Sequence, residues 1–315
     1  MSALPKGITR RNLVRGASSV WMGLFAANLA FASTHKKSMV ARIFFESFCA
    51  NALRSAQRYA GEEGYVASIP QLLHARRQAS YENIIWNTWF FSSSEESVVV
   101  TPKGNPVVVT IHGQGFLSNP DRIEQAVRAD LNRHNEHGLT GQYAVKITQP
   151  EAKSLLEGKT ATGRDLPLFS YQEFRNYEGR LPRSYGVVLD FDVAKSSGDG
   201  YMDFDALRDN PLMVCRAGGE SAAHAYLDKF MKRNNTKKML FAHKLKSIDP
   251  SQPQTRLISL GGNSGGAGSE GHDGLDWGYG EDWGLAATGP VDMGRYVGVA
   301  PRDIQNSLQL LQFEP

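Results

Sequence analysis

Residues 106–115, P-V-V-V-T-I-H-G-Q-G, form the clearest strand signal in the chain. Five apolar or β-branched residues precede His112, and Gly113 follows it, which predicts a buried strand that ends in an imidazole. A second stretch, 211–220, reads P-L-M-V-C-R-A-G-G-E and predicts a short strand ending at Cys215, before a glycine-rich turn and a helix. If the two strands are parallel neighbours, both reactive side chains lie at one edge of the sheet.

Predicted strands alternate with predicted helices along residues 93–315. This alternation predicts an α/β domain with a mainly parallel sheet flanked by helices. Residues 39–59 and 69–91 carry apolar residues at helical spacing, so 34–92 is predicted to form a helical N-terminal layer. The glycine-rich region 261–289 is expected to be either a mobile loop or a coil held by its aromatic side chains. Its aromatic residues, which favour the second option, are Trp277, Tyr279 and Trp283.

The composition is that of an ordinary globular protein. The 315 residues can form one large domain or two smaller ones. The 35 basic and 32 acidic residues leave a formal charge of +3, which gives no reason to expect a nucleic-acid partner. No cofactor and no metal are predicted, and the sequence does not define an oligomeric state.

The N-terminus resembles a twin-arginine export signal. Residues 9–15 read T-R-R-N-L-V-R, and the mildly apolar stretch that follows ends in A-F-A at 30–32, a small-x-small cleavage pattern. This predicts that 1–33 is an export signal and that the protein works in a bacterial periplasm or outside the cell. An amphipathic first helix with a chance Arg-Arg pair, in a cytoplasmic protein, is the alternative. No other segment has the roughly 18 apolar residues that a membrane span requires.

The chain has two cysteines, Cys49 and Cys215, which could form one disulfide or remain free thiols. A thiol at a helix start has a lowered pKa, and a nearby imidazole can accept its proton. Gly113 lacks a Cβ, so its backbone N–H could approach the oxyanion of an acyl intermediate. His224, in the helix after Cys215, is a rival base for the thiol.

These two stretches resemble the caspase-like cysteine peptidases, whose His-Gly follows an apolar strand and whose Cys ends a core strand before a glycine-containing turn. The resemblance implies that His112 is the base, Gly113 an oxyanion donor and Cys215 the nucleophile of a hydrolase acting on a peptide or protein substrate. The chain departs from the family in the long gap between His112 and Cys215 and in having Val214 before the cysteine.

Two other functions are alternatives to a cysteine hydrolase. A serine esterase of the α/β-hydrolase type would use Ser264 in G-N-S-G-G, but His272 is the only histidine that follows it. The other is a non-enzymatic exported binding or structural protein, in which Cys215 is inert and the aromatic glycine-rich region is a recognition surface.

Two further groups of residues resemble metal-binding sites but lack some of the ligands. Residues 195–206 resemble an EF-hand loop, but Lys195 and Ala206 occupy the positions of its first and last ligands. An irregular cation site is conceivable, although an acidic turn is favoured; its candidate ligands are Asp190, Asp192, Asp199 and Asp203. His134 and His137 lack a third ligand at a suitable spacing, and neither they nor His224 are expected to bind a metal.

Overall fold

A computed structural model describes residues 41–131, 138–140, 144–235, 237–243, 245–261, 285–288 and 294–300. Several predicted features lie outside these ranges: the export signal at 1–33, His134 and His137, and Ser264 and His272. Most of the glycine-rich region also lies outside them. No helix among the described residues is both long enough and apolar enough to cross a bilayer.

The described helices are α1 Cys49–Ala60, α2 Ile69–Gln78, α3 Ile84–Asn87, α4 Pro120–Leu131, α5 Gln149–Leu156, α6 Tyr171–Arg175, α7 Phe191–Ser196, α8 Phe204–Arg208, α9 Pro211–Ala217 and α10 Glu220–Asn234. The strands are β1 Ala41–Glu46, β2 Tyr65–Val66, β3 Phe90–Val100, β4 Pro106–His112, β5 Leu139–Thr140, β6 Ala144–Lys146, β7 Leu168–Ser170, β8 Tyr185–Asp190, β9 Gly200–Asp203, β10 Lys238–Ala242, β11 Gln254–Leu260, β12 Leu285–Thr288 and β13 Gly294–Val299.

The larger sheet is mixed and mostly antiparallel, so the prediction of a mainly parallel sheet is wrong. Its main path runs β7-β8-β4-β3-β11-β12-β10-β9, with β6 paired to β11 and β5 to β6. Among these pairs, β7/β8 and β10/β12 are parallel. The physical reason lies at the centre of the sheet, where β3 and β4 form a hairpin with Thr101–Asn105 hydrogen bonding across the turn. Short connections of this kind force neighbouring strands to run in opposite directions.

A second sheet joins the two ends of the described chain. Its order is β1-β13-β2, and α1 packs against it. A Cβ at Gly294 or Gly298 would lie within 2.6 Å of the α1 backbone, at Cys49 and Ala56 respectively. The predicted continuous helix over 39–59 is therefore wrong in its first half, which pairs as β1 with a strand some 250 residues later. Long-range pairing of this kind overrides the local periodicity.

The predicted strand ending at Cys215 is also wrong, because residues 212–215 lie in α9. The Asn210 side chain accepts a hydrogen bond from the Met213 N–H, and Pro211 occupies the first turn, where its missing N–H costs nothing. All residues from Leu212 to Ala217 are buried. A helix that is buried on every side shows no polar periodicity, so a short apolar run cannot be distinguished from a buried strand.

Helices cover both faces of the larger sheet. On one face, a large apolar cluster joins α2, α9 and α10 to strand residues such as Val98, Val108 and Ile258. On the other face, smaller clusters join α1, α4 and α5 to residues such as Val99, Val109 and Leu257. The polar residues of β3 and the end of β4 are consequently enclosed.

Candidate functional site

The centre of β3 is a run of buried polar residues, S-S-S-E-E-S at 92–97. Alternation along a strand directs successive side chains to opposite faces of the sheet, so Ser94 and Glu96 lie on the α9 side and Glu95 on the other. Buried polar groups require hydrogen-bond partners. Their partners include the predicted base His112, which bonds to Ser94, and Arg216, the residue after Cys215, which bonds to Glu96.

His112 is almost fully buried, and both of its ring nitrogens have partners. Its Nε2–H donates to the carbonyl oxygen of Cys215 at 2.9 Å, because a carbonyl can only accept. The Nδ1 atom therefore accepts, and the Ser94 hydroxyl lies 2.8 Å from it as donor. Ser94 Oγ in turn accepts from the Ile69 N–H at 2.9 Å. Burial lowers the pKa of His112 to about 4, against a smaller rise caused by the Cys215 carbonyl, so the ring is neutral near pH 7.

Cys215 meets His112 through its backbone. It lies inside α9 and is fully buried, and the contact that joins the two residues is the one from the imidazole to the Cys215 carbonyl. Burial, followed by the negative charge of Glu96, raises the pKa of the Cys215 thiol far above its ordinary value. A thiol in this state has almost no nucleophilic thiolate. Neither Cys49 nor Cys215 forms a disulfide, and the Cys49 sulfur contacts the Tyr296 hydroxyl at 3.1 Å.

Gly113 directs its N–H into the structure. That N–H donates to the carbonyl oxygen of Ser93 at 2.9 Å. The residue has a φ of 75°, and an added Cβ would lie 3.0 Å from Ser184 Oγ, so glycine is required here for the turn after β4. The structure thus joins His112 to Cys215 through the Cys215 carbonyl, whereas the N–H of Gly113 is already bonded to Ser93 of β3.

Glu96 and Arg216 form a buried ion pair beside this histidine. The guanidinium Nε and Nη2 atoms donate to the two carboxylate oxygens at 2.6 and 2.8 Å, and Nη1 donates to the Ala242 carbonyl at 3.0 Å. The guanidinium also lies 4.6 Å from the centre of the Phe241 ring. A bidentate pair with further hydrogen bonds is the geometry that compensates the cost of burying two charges.

Glu95 occupies the opposite face and holds the loop after β4. Its two carboxylate oxygens accept from the Phe116 and Leu117 N–H groups at 2.8 and 2.7 Å. Burial raises the pKa of Glu95 to about 7, while the two backbone hydrogen bonds lower it. Ser94, Glu95 and Glu96 are site residues that the sequence pattern did not indicate. Consecutive glutamates inside a serine run resemble a surface segment, and the flanking apolar residues of β3 are the signal that could have identified a central strand.

The aspartates of the segment that resembles an EF-hand loop lie at helix starts or accept hydrogen bonds from the backbone. Asp190 accepts from the Asp192 and Val193 N–H groups at the start of α7, and Asp203 precedes α8. Asp199 accepts from the His243 N–H at 3.2 Å. These carboxylates therefore serve separate local structures.

A different cluster lies on the outer surface, where α8 ends and α10 begins. One carboxylate oxygen each of Asp209 and Glu220 and one ring nitrogen of His224 lie within 4.8 Å of one another. The His224 Nε2 atom is 3.1 Å from the Arg208 carbonyl oxygen and 3.6 Å from Asp209 Oδ1. These side chains are partly or largely exposed, so within the described residues this cluster combines metal-ligand chemistry with access from solvent.

Comparison with protein-family models and with curated protein sequences finds no match. A solved structure from the Nanoarchaeota, described as accommodating massive sequence variation by the C-type lectin fold, is similar with a TM-score of 0.58. The similarity covers 83% of this chain and 98% of the other, at 24% sequence identity, and it concerns the fold alone. It corrects the predicted resemblance to caspase-like cysteine peptidases, on which the hydrolase interpretation depended. Nothing in the comparisons supports the predicted export signal, which lies outside the described residues.

Proposed function

We propose that this protein is a non-enzymatic binding protein, in which a C-type lectin-like scaffold presents residues 261–284 to a positively charged ligand. The observation that carries the proposal is the pairing of β11 with β12. Leu260 and Leu285 are cross-strand partners, so the region between them begins and ends at adjacent strands of the larger sheet. A scaffold that holds both ends of a long connection can present its sequence without depending on it for folding.

The composition of this region favours a cationic ligand. Residues 261–284 include three large aromatic residues and contain no lysine or arginine. The acidic residues are Glu270, Asp273, Asp276, Glu281 and Asp282. Carboxylates attract ammonium and guanidinium groups at long range, and tryptophan and tyrosine rings bind the same cations by cation–π contacts. A lysine- and arginine-rich peptide or protein surface matches both properties.

The fold neighbour and the buried thiol support the same function. The neighbour's fold is described as accommodating massive sequence variation, which is the property that a scaffold for binding requires. The enclosed positions of Cys215 and His112 leave them without access to a substrate. The glycine-rich region is the recognition surface that the sequence suggests for the non-enzymatic alternative.

The test compares the full chain with two variants on an array of basic, neutral and acidic peptides and of glycans. In one variant, the five carboxylates listed above become Asn or Gln; in the other, the same number of surface carboxylates outside the region is neutralised, so that net charge is matched. We expect basic peptides to bind the wild type and the matched control, more weakly at raised salt, and to lose affinity for the first variant. Equal binding by all three proteins, or binding confined to neutral glycans, would refute the proposal.

A further inference from the structure

The cluster of Asp209, Glu220 and His224 is built by a reversal of the chain. Asp209 follows α8, and the chain then runs through α9 and turns back at Gly218 and Gly219. These glycines have φ angles of 86° and 130°, which other residues rarely adopt. The reversal places the first residue of α10 beside the end of α8, and Arg208 pairs with Asp228 of α10 alongside.

Within α10, Glu220 and His224 are four positions apart, at i and i+4. Side chains at this spacing lie on the same face of a helix, one turn apart. Two ligands at i and i+4 on one helix, with a third from another element, is an arrangement that chelates a metal ion without rearranging the backbone. The third residue is Asp209, whose Oδ1 lies 3.6 Å from His224 Nε2.

We propose that Asp209, Glu220 and His224 bind a divalent first-row transition metal ion of the Zn²⁺ class. Tetrahedral zinc has bonds of about 2.0–2.1 Å to nitrogen and oxygen, which separates adjacent ligand atoms by about 3.3 Å. The observed 3.6 Å between Asp209 and His224 is close to that value, and small side-chain rotations bring in Glu220 from within 4.8 Å. One imidazole and two carboxylates leave the fourth position to water. Calcium requires six to eight oxygen ligands and does not fit this set.

Two existing contacts compete with a metal ion for the ligand atoms of Glu220 and His224. The Arg175 Nε atom lies 3.0 Å from Glu220 Oε2, so the guanidinium repels a cation and occupies one oxygen of that carboxylate. The His224 Nε2–H donates to the Arg208 carbonyl. Coordination through Nε2 moves the ring proton to Nδ1 and removes that hydrogen bond. The site therefore binds more weakly than a preorganised one, and removing Arg175 strengthens it.

The experiment titrates the metal-free full chain with Zn²⁺ by calorimetry and with Co²⁺ by visible absorption, where tetrahedral coordination gives intense d–d bands. We expect these bands with the wild type and at least about tenfold weaker binding with Glu220→Gln/His224→Gln. Arg175→Gln is expected to bind more tightly than the wild type. Ca²⁺ is expected to compete with neither metal.

Histidines elsewhere provide the control. The chain has eight, so adventitious binding is measured with His134→Gln/His137→Gln, which removes two histidines that the sequence places three residues apart. This variant is expected to bind as the wild type does. The proposal is overturned if the wild type binds neither metal, if Glu220→Gln/His224→Gln binds as well as the wild type, or if Arg175→Gln binds more weakly. Circular dichroism spectra and thermal midpoints of the metal-free variants establish that each is folded. The binding of peptides by residues 261–284 is independent of these results.

Discussion

His112 and His224 make the same kind of hydrogen bond in two different environments, one buried and one exposed. Each directs its Nε2 atom at a backbone carbonyl, Cys215 at 2.9 Å and Arg208 at 3.1 Å. His112 is 1% exposed, and a serine completes its hydrogen bonding, whereas the side chain of His224 is 35% exposed and faces a carboxylate. Solvent access decides what each can do. The buried imidazole holds the sheet to α9, and the exposed one can exchange its contact for a ligand.

The largest expected effect is the loss of stability when Arg216, which belongs to the buried cluster around His112, is replaced. Arg216→Met leaves the Glu96 carboxylate buried without its partner, which should lower the free energy of unfolding by about 3–5 kcal/mol. Urea denaturation of the two proteins measures it. The control, Arg216→Met with Glu96→Leu, removes both charges and is expected to recover much of the loss. A cost below about 1 kcal/mol for the single variant would show that the pair is solvated.

The next effect is the pH dependence of the free energy of unfolding, to which His112 and Glu95 contribute with opposite signs. The pKa of His112 falls from 6.5 to about 4 on folding, so the unfolded chain binds the proton first, and stability is lost as the pH falls from 6.5 through 4. The pKa of Glu95 rises from 4.5 to about 7, so stability is lost as the pH rises from 4.5 through 7. Each effect amounts to about 3 kcal/mol at full extent. The two slopes should oppose each other between pH 4.5 and 6.5.

Substitutions separate the contributions of His112 and Glu95 to the slope of stability against pH. In Glu95→Gln the His112 slope remains, so acidification from pH 6.5 should destabilise the variant more steeply than the wild type. In His112→Gln the Glu95 slope remains, so stability should decrease from pH 4.5 to 7. Chemical denaturation at half-unit pH intervals gives both curves. Parallel curves for the wild type and both variants would mean that neither group changes its proton affinity on folding.

The sequence predicted local elements better than their partners. The strand that ends at His112 and the helix that follows the glycine-rich turn, α10, were correctly expected, because each has a clear pattern and recognisable ends. Residues 39–46 and 212–215 were misassigned, since the first is fixed by pairing with β13 and the second by burial on all sides. Strand direction in the sheet depends on contacts distant in sequence, which a single sequence does not display.

The candidate site shows the same limit. The sequence placed His112 and Cys215 together only on the condition that both end parallel neighbouring strands, whereas the structure has Cys215 in a helix and joins the two through the cysteine's carbonyl and not its sulfur. His224 was considered only as a rival base and dismissed as a metal ligand. Its partner Asp209 follows another helix, α8, and the reversal at Gly218 and Gly219 brings the two together. The catalytic role of the buried pair stays a prediction that this geometry does not favour.

A smaller effect concerns the reactivity of the two thiols. Both are buried, and burial raises the pKa of Cys215, so a thiol reagent at pH 8 should label neither residue in the native protein within the time that fully labels the unfolded chain. Single variants Cys49→Ala and Cys215→Ala, followed by mass spectrometry, assign the labelling to each position. We expect each substitution to cost about 1 kcal/mol of stability through lost packing. Rapid labelling of native Cys215 would restore it as a reactive group.

The smallest expected effect tests the exposed side of the comparison. Without added metal, Glu220→Gln/His224→Gln should change the free energy of unfolding by no more than about 0.5 kcal/mol, since exposed ion pairs contribute little. The contacts removed are the pair of Glu220 with Arg175 and the hydrogen bond of His224 to the Arg208 carbonyl. Urea denaturation with a chelator present makes the measurement, and the same variant with added Zn²⁺ provides the contrast. A loss comparable to that of Arg216→Met would mean that this cluster, like the buried one, is retained for stability.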